Sequence, residues 1–418
     1  MIKDKIIHIN SDNVIIKTRK NKGYIYNKEN FKYMILTKQV IDYIQQADQH
    51  NMTMSELIDL FDKEDKIYIE QTLDILNEMG LFDFSENKLK NIKKVNISLT
   101  NKCNLECKHC CNQSSPREKT NLQLDDWKLV IDKLSQFNLM EIVFSGGEPL
   151  ILPFFEELIV YAKNKMPMTK FNLLTNATLI DHYDVKFFKN NFNIIDISID
   201  GHDKESTDKI RGYGVFDKVI KNVRLLKNNE FHNINLSFTQ NDFNRGDTKY
   251  FYELCNQLKV SSSVRCFSPV GRGHDNVNLF TLENKLIPSS RIEFIKKAYF
   301  ESNKNDISIS TLACNSGIDQ IYINDKGDVY PCPSLDNDKF KITNIQDDQS
   351  IKEIQEFNGG YRVYEHIISN SKKCKDCDVN IFCWSCPADF NTVYSNDNID
   401  YWCDNMKKYL NKLIWNEG

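Results

Sequence analysis

Apolar positions in the first 85 residues fall into two registers. Short runs at Lys5 to Asn10, Asn13 to Thr18 and Gly23 to Tyr26 are strand-like and are separated by Asn, Asp and Gly turn signals. Helical spacing then takes over. Val40, Ile41 and Ile44 form one stripe, Met54, Leu57, Ile58 and Phe61 a second, and Ile69, Leu73, Leu76 and Met79 a third, which Gly80 closes in the manner of a helix C-cap. Three strands followed by three helices predict a small winged-helix-like unit over residues 1–87, and the Lys-rich stretch 88–94 reads as a linker.

From Val95 the pattern alternates. Strand-like segments at Val95 to Thr100, Glu141 to Ser145, Phe171 to Thr175, Ile194 to Ile199, Ile234 to Thr239 and Ser263 to Phe267 are separated by helical segments. These include Asp125 to Phe137, Phe154 to Lys163 and Phe216 to Asn228. Such alternation predicts an α/β fold with a parallel sheet, and six repeats over 95–300 make a partial (β/α)6 barrel of the TIM type. The distinctive residues stand just past the strand ends. Cys103 follows the first strand, Gly146-Gly147-Glu148-Pro149 the second, Asn176 the third, Asp200-Gly201 the fourth and Gly271-Arg272-Gly273 the sixth. Barrel enzymes carry their chemistry at that rim, so the distribution itself argues for an active site.

The length of 418 residues suits two or three domains. A formal charge of -4 with interspersed signs argues against nucleic acid or an anionic membrane as partner, and acidic residues outnumber basic ones in the first 85 positions. No apolar run reaches membrane-spanning length and none follows the N-terminus as a signal peptide would, so the expected location is cytoplasmic. Thirteen cysteines then need a role other than disulfides. Ten fall into two groups: Cys103, Cys107 and Cys110, and, in the segment 301–418, Cys314, Cys332, Cys374, Cys377, Cys383, Cys386 and Cys403. Taken alone, Cys374-x2-Cys377 and Cys383-x2-Cys386 also suit zinc ribbons. Cys255 lies on a helical stripe with Phe251, Leu254 and Leu258 and reads as a buried small hydrophobe. The first group, C-x3-C-x2-C, supplies three ligands where a cubic iron–sulfur cluster takes four, which leaves one iron open.

Together with the ordered motifs at the strand ends, that triplet resembles the radical S-adenosylmethionine (SAM) enzymes over roughly residues 95–275. The resemblance implies a 4Fe-4S cluster on Cys103, Cys107 and Cys110. It also implies SAM chelated to the open iron and a 5'-deoxyadenosyl radical that takes a hydrogen atom from substrate. By the same analogy Gly146, Gly147 and Glu148 meet the SAM amino group, Ser198 and Asp200 the ribose, Arg211 the SAM carboxylate, His109 the adenine, and Asn176 lines the site. A plain Gly-Gly turn, a solvated strand end, a turn-forming Asn and a surface arginine are the structural alternatives for these positions. The later cysteines resemble a SPASM domain, which adds two auxiliary 4Fe-4S clusters, although the Cys383–Cys386 spacing is x2 where the family has x3. The family pattern assigns Cys374, Cys377, Cys383 and Cys403 to one cluster. Cys314, Cys332 and Cys386 fall to the other, whose set is one short and could accept a substrate thiolate.

Residues 1–87 are similar to a RiPP recognition element, the leader-binding module of enzymes that modify ribosomally made peptides. A leader would add as a strand to an exposed sheet edge, with the core peptide in the barrel, and an electron donor such as flavodoxin or ferredoxin would reduce the cluster. A structural cap on the barrel is the alternative. The expected activity is thioether formation of the sactipeptide or ranthipeptide kind. Carbon–carbon cross-linking, epimerisation with Cys266 as hydrogen donor, and sulfatase maturation are rivals. A metal-sensing DNA-binding regulator is a rival of another class, disfavoured because the second helix reads Ser55-Glu56-Leu57-Ile58-Asp59 and is acidic where a recognition helix is basic.

Overall fold

The computed structural model describes residues 4–82, 91–282, 291, 309–311, 315–357, 372–383, 386, 388–389 and 399–416. The chain divides into two compact units, Met1–Leu89 with Ile295–Ile318 and Asn358–Gly418, and Lys90–Phe294 with Asp319–Phe357. Among the described residues no helix is long and apolar enough to cross a membrane.

In the first unit β1 (Val14–Arg19), β2 (Lys22–Asn27) and β3 (Lys32–Thr37) form an antiparallel sheet, followed by α1 (Lys38–Gln49), α2 (Met54–Asp59) and α3 (Lys63–Glu78). The expected count of three strands holds, but their identity shifts. The Lys5 to Asn10 run forms only the isolated bridges Ile6 to Thr53 and Ile9 to Phe82, while Lys32–Thr37 is a full strand. The helix starts follow from capping side chains that satisfy otherwise orphaned N–H groups. Thr37 caps α1, Thr53 and Glu56 form a reciprocal capping box on α2, and Asp62 caps α3. Past the end of α3, Gly80 takes a left-handed φ of 72°, where a Cβ would be strained. The three helical stripes meet the sheet in one core around Ile25, Ile41, Leu57, Leu73 and Leu76. A two-residue strand, Ile309–Ser310, adds antiparallel to the outer edge of β3 at Tyr33 and Lys32.

The second unit is built on six parallel strands in sequential order. They are β4 (Lys94–Ser98), β5 (Glu141–Ser145), β6 (Lys170–Thr175), β7 (Ile194–Ser198), β8 (Ile234–Gln240) and β9 (Ser261–Cys266). Helices α4 (Leu124–Leu134), α5 (Phe155–Lys165), α6 (Val185–Asn191), α7 (Lys204–Arg211), α8 (Val215–Asn228) and α9 (Thr248–Leu258) fill the crossovers, and a short α10 (Arg272–Asp275) follows β9. Alternate strand residues such as Ile97, Ile142, Phe144, Leu173, Ile195 and Leu236 pack against the helices. The opposite positions, Asn96, Asn172, Asp196 and Asn235, face the interior cavity. The sheet continues beyond β4: Gln320–Ile323 pairs parallel with it, in register Ile321 to Val95, and Asp328–Tyr330 and Thr343–Asn344 follow antiparallel. The result is a mainly parallel nine-stranded sheet whose C-terminal rim carries the site.

Candidate active site

Directly after β4 the chain leaves the sheet and forms a loop without regular structure. A bridge between Lys102 and Ser115 and the Cys103 N–H donating to the Ser115 carbonyl (3.1 Å) close its base. Cys103, Cys107 and Cys110 lie on this loop, and N–H donors are aimed at all three sulfurs. Leu105 N and Asn176 Nδ2 approach Cys103 Sγ at 3.4 and 3.8 Å, Ser114 N approaches Cys110 Sγ at 3.3 Å, and Arg211 Nη1 approaches Cys107 Sγ at 3.9 Å. Such donors stabilise sulfur ligands carrying negative charge. Burial pushes the Cys103 thiol up to about 12, and burial also raises Cys107 against the opposing pull of Arg211. Ionised sulfurs here therefore call for the positive charge of bound metal. Among the described residues no three His, Cys, Asp or Glu side chains converge tightly enough for a single metal ion. Three thiols on one loop, each met by an N–H donor, fit the ligand set of an iron–sulfur cluster.

The β5 end holds this loop by backbone. Gly147 N donates to the Thr100 carbonyl (2.6 Å) and Glu148 N to the Lys102 carbonyl (3.0 Å). A Cβ on Gly147 would stand 2.3 Å from the Lys102 oxygen, so only glycine permits the approach. Glu148 and Asp200, both expected at the cofactor face, stand behind it. Glu148 is fully buried, with Oε1 accepting from Thr175 Oγ1 (2.7 Å) and Leu150 N (3.1 Å) and Oε2 from Asn176 N (2.7 Å). Burial pushes its carboxyl up to about 7, against the pull of those three donors. Asn176 links the same wall to the loop by donating from Nδ2 to Asn104 Oδ1 (2.9 Å).

Asp200, at a left-handed φ of 59° just past β7, is a hub of three elements. Its Oδ2 accepts from Arg211 Nε (2.7 Å) and Nη2 and lies 2.8 Å from His109 Nε2, while Oδ1 accepts from Thr239 N (2.7 Å). Burial alone would raise the Asp200 carboxyl, but Arg211 and His109 hold it well below the usual carboxylate range. His109 thus reaches from the cysteine loop to the barrel wall, and its Nδ1 is buried without a hydrogen-bond partner.

These groups surround one cavity of about 1090 Å³, lined by Cys103, Cys107, Cys110, His109, Gly146, Gly147, Asn176, Ser198, Arg211 and Cys266. Sequence reasoning assigns no role to two further arrangements. Asp196, inside the barrel, accepts from Arg265 Nη2 (2.7 Å), Asn235 Nδ2 (3.1 Å) and Ser237 Oγ (2.6 Å), and Arg272 grips the cysteine loop. The Ile-Asp-Ile-Ser-Ile-Asp alternation is the signal for Asp196, since it puts that residue on the same face as Ser198.

In the first unit Cys374, Cys377, Cys383 and Cys403 come within mutual electrostatic range. Burial raises the Cys383 thiol far above its ordinary value, and the other three add to the shift. Trp402 Nε1 donates to Cys383 Sγ at 3.1 Å. Cys386 belongs to this unit and Cys332 to the second, while Cys314 lies outside the described residues. Cys255 is buried on α9 and Cys111 is exposed.

The radical SAM superfamily model matches residues 97–255, from β4 to α9, with the cysteine loop at its start. The chain carries a radical SAM domain. An iron–sulfur cluster-binding SPASM domain is matched over residues 314–378, and the chain is a radical SAM enzyme of that subclass. Mycofactocin maturase MftC of Mycolicibacterium smegmatis is 27% identical over 61% of this chain and 68% of its own. The cysteine-type anaerobic sulfatase-maturating enzyme of Clostridium novyi is 24% identical over 78% of this chain and 96% of its own. The crystal structure of Streptococcus suis SuiB bound to S-adenosylmethionine shares the fold, with a TM-score of 0.53 at 16% identity over 90% of this chain and 94% of that one.

Proposed function

We propose that this radical SAM enzyme matures a ribosomally synthesised precursor peptide by joining a cysteine sulfur to a carbon of the same peptide. The observation that carries the reading is the cysteine loop opening onto a cavity of about 1090 Å³ with a polar interior, in a chain that also gathers Cys374, Cys377, Cys383 and Cys403. MftC and the sulfatase-maturating enzyme are by name maturases, and SuiB has been crystallised with a precursor peptide, SuiA.

A 4Fe-4S cluster with SAM, when bound, supplies a 5'-deoxyadenosyl radical that removes a hydrogen atom from substrate. Cys103, Cys107 and Cys110 would hold that cluster. Gly146 and Gly147 line the cavity beside Ser198, Asn176, His109 and Arg211, where SAM would sit. Glu148 and Asp200 act through neighbours: Glu148 fixes the Asn176 backbone, and Asp200 fixes Arg211 and His109. Cys374, Cys377, Cys383 and Cys403 would hold one auxiliary cluster. Cys314, Cys332 and Cys386 would hold a second that lacks a ligand, and a substrate thiolate suits that position. The leader peptide would dock on the first unit, where β1 is an edge strand among the described residues and Ile35 and Ile67 expose apolar surface. A flavodoxin or ferredoxin would supply the electron.

Mass spectrometry of the peptide before and after reaction tests this. Each thioether removes two hydrogens and protects one cysteine from alkylation, and a product in which every cysteine still alkylates rejects the reading. Epimerisation is the second reading, because Cys266 lines the cavity and can offer a hydrogen atom. Deuterium from heavy water at a peptide α-carbon, lost in Cys266→Ala, would favour it.

A further inference from the structure

The cysteine loop closed by the Lys102–Ser115 bridge has no helix or strand of its own; Cys107 O and Cys110 O each accept one N–H from within it, at 3.2 and 3.3 Å, and its carbonyls also draw donors from outside. Four of them find the same residue. Arg272, the first residue of α10, donates from its backbone N to the Cys110 carbonyl (2.9 Å), from Nη1 to Cys107 O (2.8 Å), and from Nη2 to Gln113 O (2.9 Å) and Ser114 O (2.8 Å). Asn276, one turn on, donates to Lys108 O at 3.0 Å. The preceding residue is shaped for the same approach: Gly271 has a φ of 57°, and a Cβ there would stand 2.1 Å from Cys111 O and 2.8 Å from Cys110 O. A Cβ on Gly273 would meet the Phe267 ring at 3.1 Å and the His109 carbonyl on the same loop at 3.4 Å.

We propose that Arg272 is the positioning residue of the cluster loop, a guanidinium clamp that ties the turn at Cys107 to the turn at Gln113 and Ser114 and so fixes the spread of the three thiols. The planar fork spans carbonyls that a single ammonium cannot reach together, so charge alone does not substitute for shape. Segment Gly271-Arg272-Gly273 thereby shapes the site through the backbone that carries the sulfurs, while the Arg272 charge also favours an ionised Cys107. The inference rests on the loop's holding a cluster and is independent of the substrate.

The test uses the anaerobically reconstituted full chain with Arg272→Gln, Arg272→Lys and Asn276→Ala. Hydrogen exchange of amides 103–115 is read beside the change that SAM makes in the electron paramagnetic resonance spectrum of the reduced protein. Losing several hydrogen bonds predicts roughly tenfold or faster loop exchange in Arg272→Gln, with β4 to β9 unchanged, and loss or broadening of the SAM-sensitive signal. Arg272→Lys falls between wild type and Arg272→Gln in both readouts, and Asn276→Ala moves exchange no more than about threefold. Wild-type loop exchange in Arg272→Gln overturns the clamp, as does a loosening spread evenly over the barrel. An Arg272→Lys protein with fully wild-type exchange and spectrum overturns it too, because charge would then suffice. A wild type without any SAM-sensitive signal would sink the cluster reading while loop exchange still reports on the clamp.

Discussion

Replacing Asp200 with Asn changes one charge and almost no volume, and the surroundings of the side chain set the cost. It is 1% exposed and accepts from Arg211, His109 and Thr239 N. An amide has one acceptor oxygen, so either orientation turns its NH2 toward donors: toward Arg211 and His109, or toward the Thr239 N–H. Arg211, itself 9% exposed, is left as a buried cation without a counter-charge. Breaking one side of a buried pair costs about 3–5 kcal/mol, which for a unit of this size lowers the melting temperature by roughly 6–20 °C. Calorimetry on reconstituted protein measures it. Adding Arg211→Met removes the orphaned cation and should recover most of the loss, because a buried pair exchanged for apolar groups is often near neutral. The folded carboxyl titrates well below its unfolded range, so its contribution is fully present above about pH 4 and is lost only in stronger acid. A loss under about 1 kcal/mol, or a double variant as weak as the sum of the singles, would refute the hub.

Glu148 has the opposite sign. Its folded carboxyl holds a proton up to about 7 against an ordinary 4.5, so stability falls as pH rises between those values, by about 3 kcal/mol in all. Glu148→Gln should flatten that dependence in urea titrations, and an unchanged slope would contradict it. Gly147→Ala drives a Cβ into the Lys102 carbonyl and should leave the chain about four irons short of wild type; full iron with normal SAM cleavage would count against the cradle. Cys383→Ala should keep 5'-deoxyadenosine formation but abolish peptide product, and loss of both together would mean that the two cysteine groups do not act separately.

The six parallel strands were legible because they alternate with helices and because glycine and cysteine punctuate their ends. Observed β5, Glu141–Ser145, coincides with the pattern. What failed to show was pairing at a distance. Nothing in residues 301–418 beyond cysteine spacing signals that Gln320–Ile323 joins β4 as a parallel neighbour, since a strand of four residues, Gln-Ile-Tyr-Ile, has no directional mark. The Lys5 to Asn10 run has strand composition but makes only isolated bridges, while Lys32–Thr37 gains β2 as a partner. At the site, motif analogy aims Asp200 and Arg211 outward at a cofactor, whereas the fold also aims them at each other. Arg272 was visible only as the middle of a Gly-Arg-Gly, because a backbone clamp needs no particular residue in the loop it grips.

The most direct test is whether reconstituted protein, strongly reduced and without oxygen, releases 5'-deoxyadenosine from SAM. The account predicts release by wild type and none by a triple variant carrying Cys103→Ala, Cys107→Ala and Cys110→Ala. Wild-type protein with iron at the loop that leaves SAM intact, or equal release by the triple variant, would contradict it.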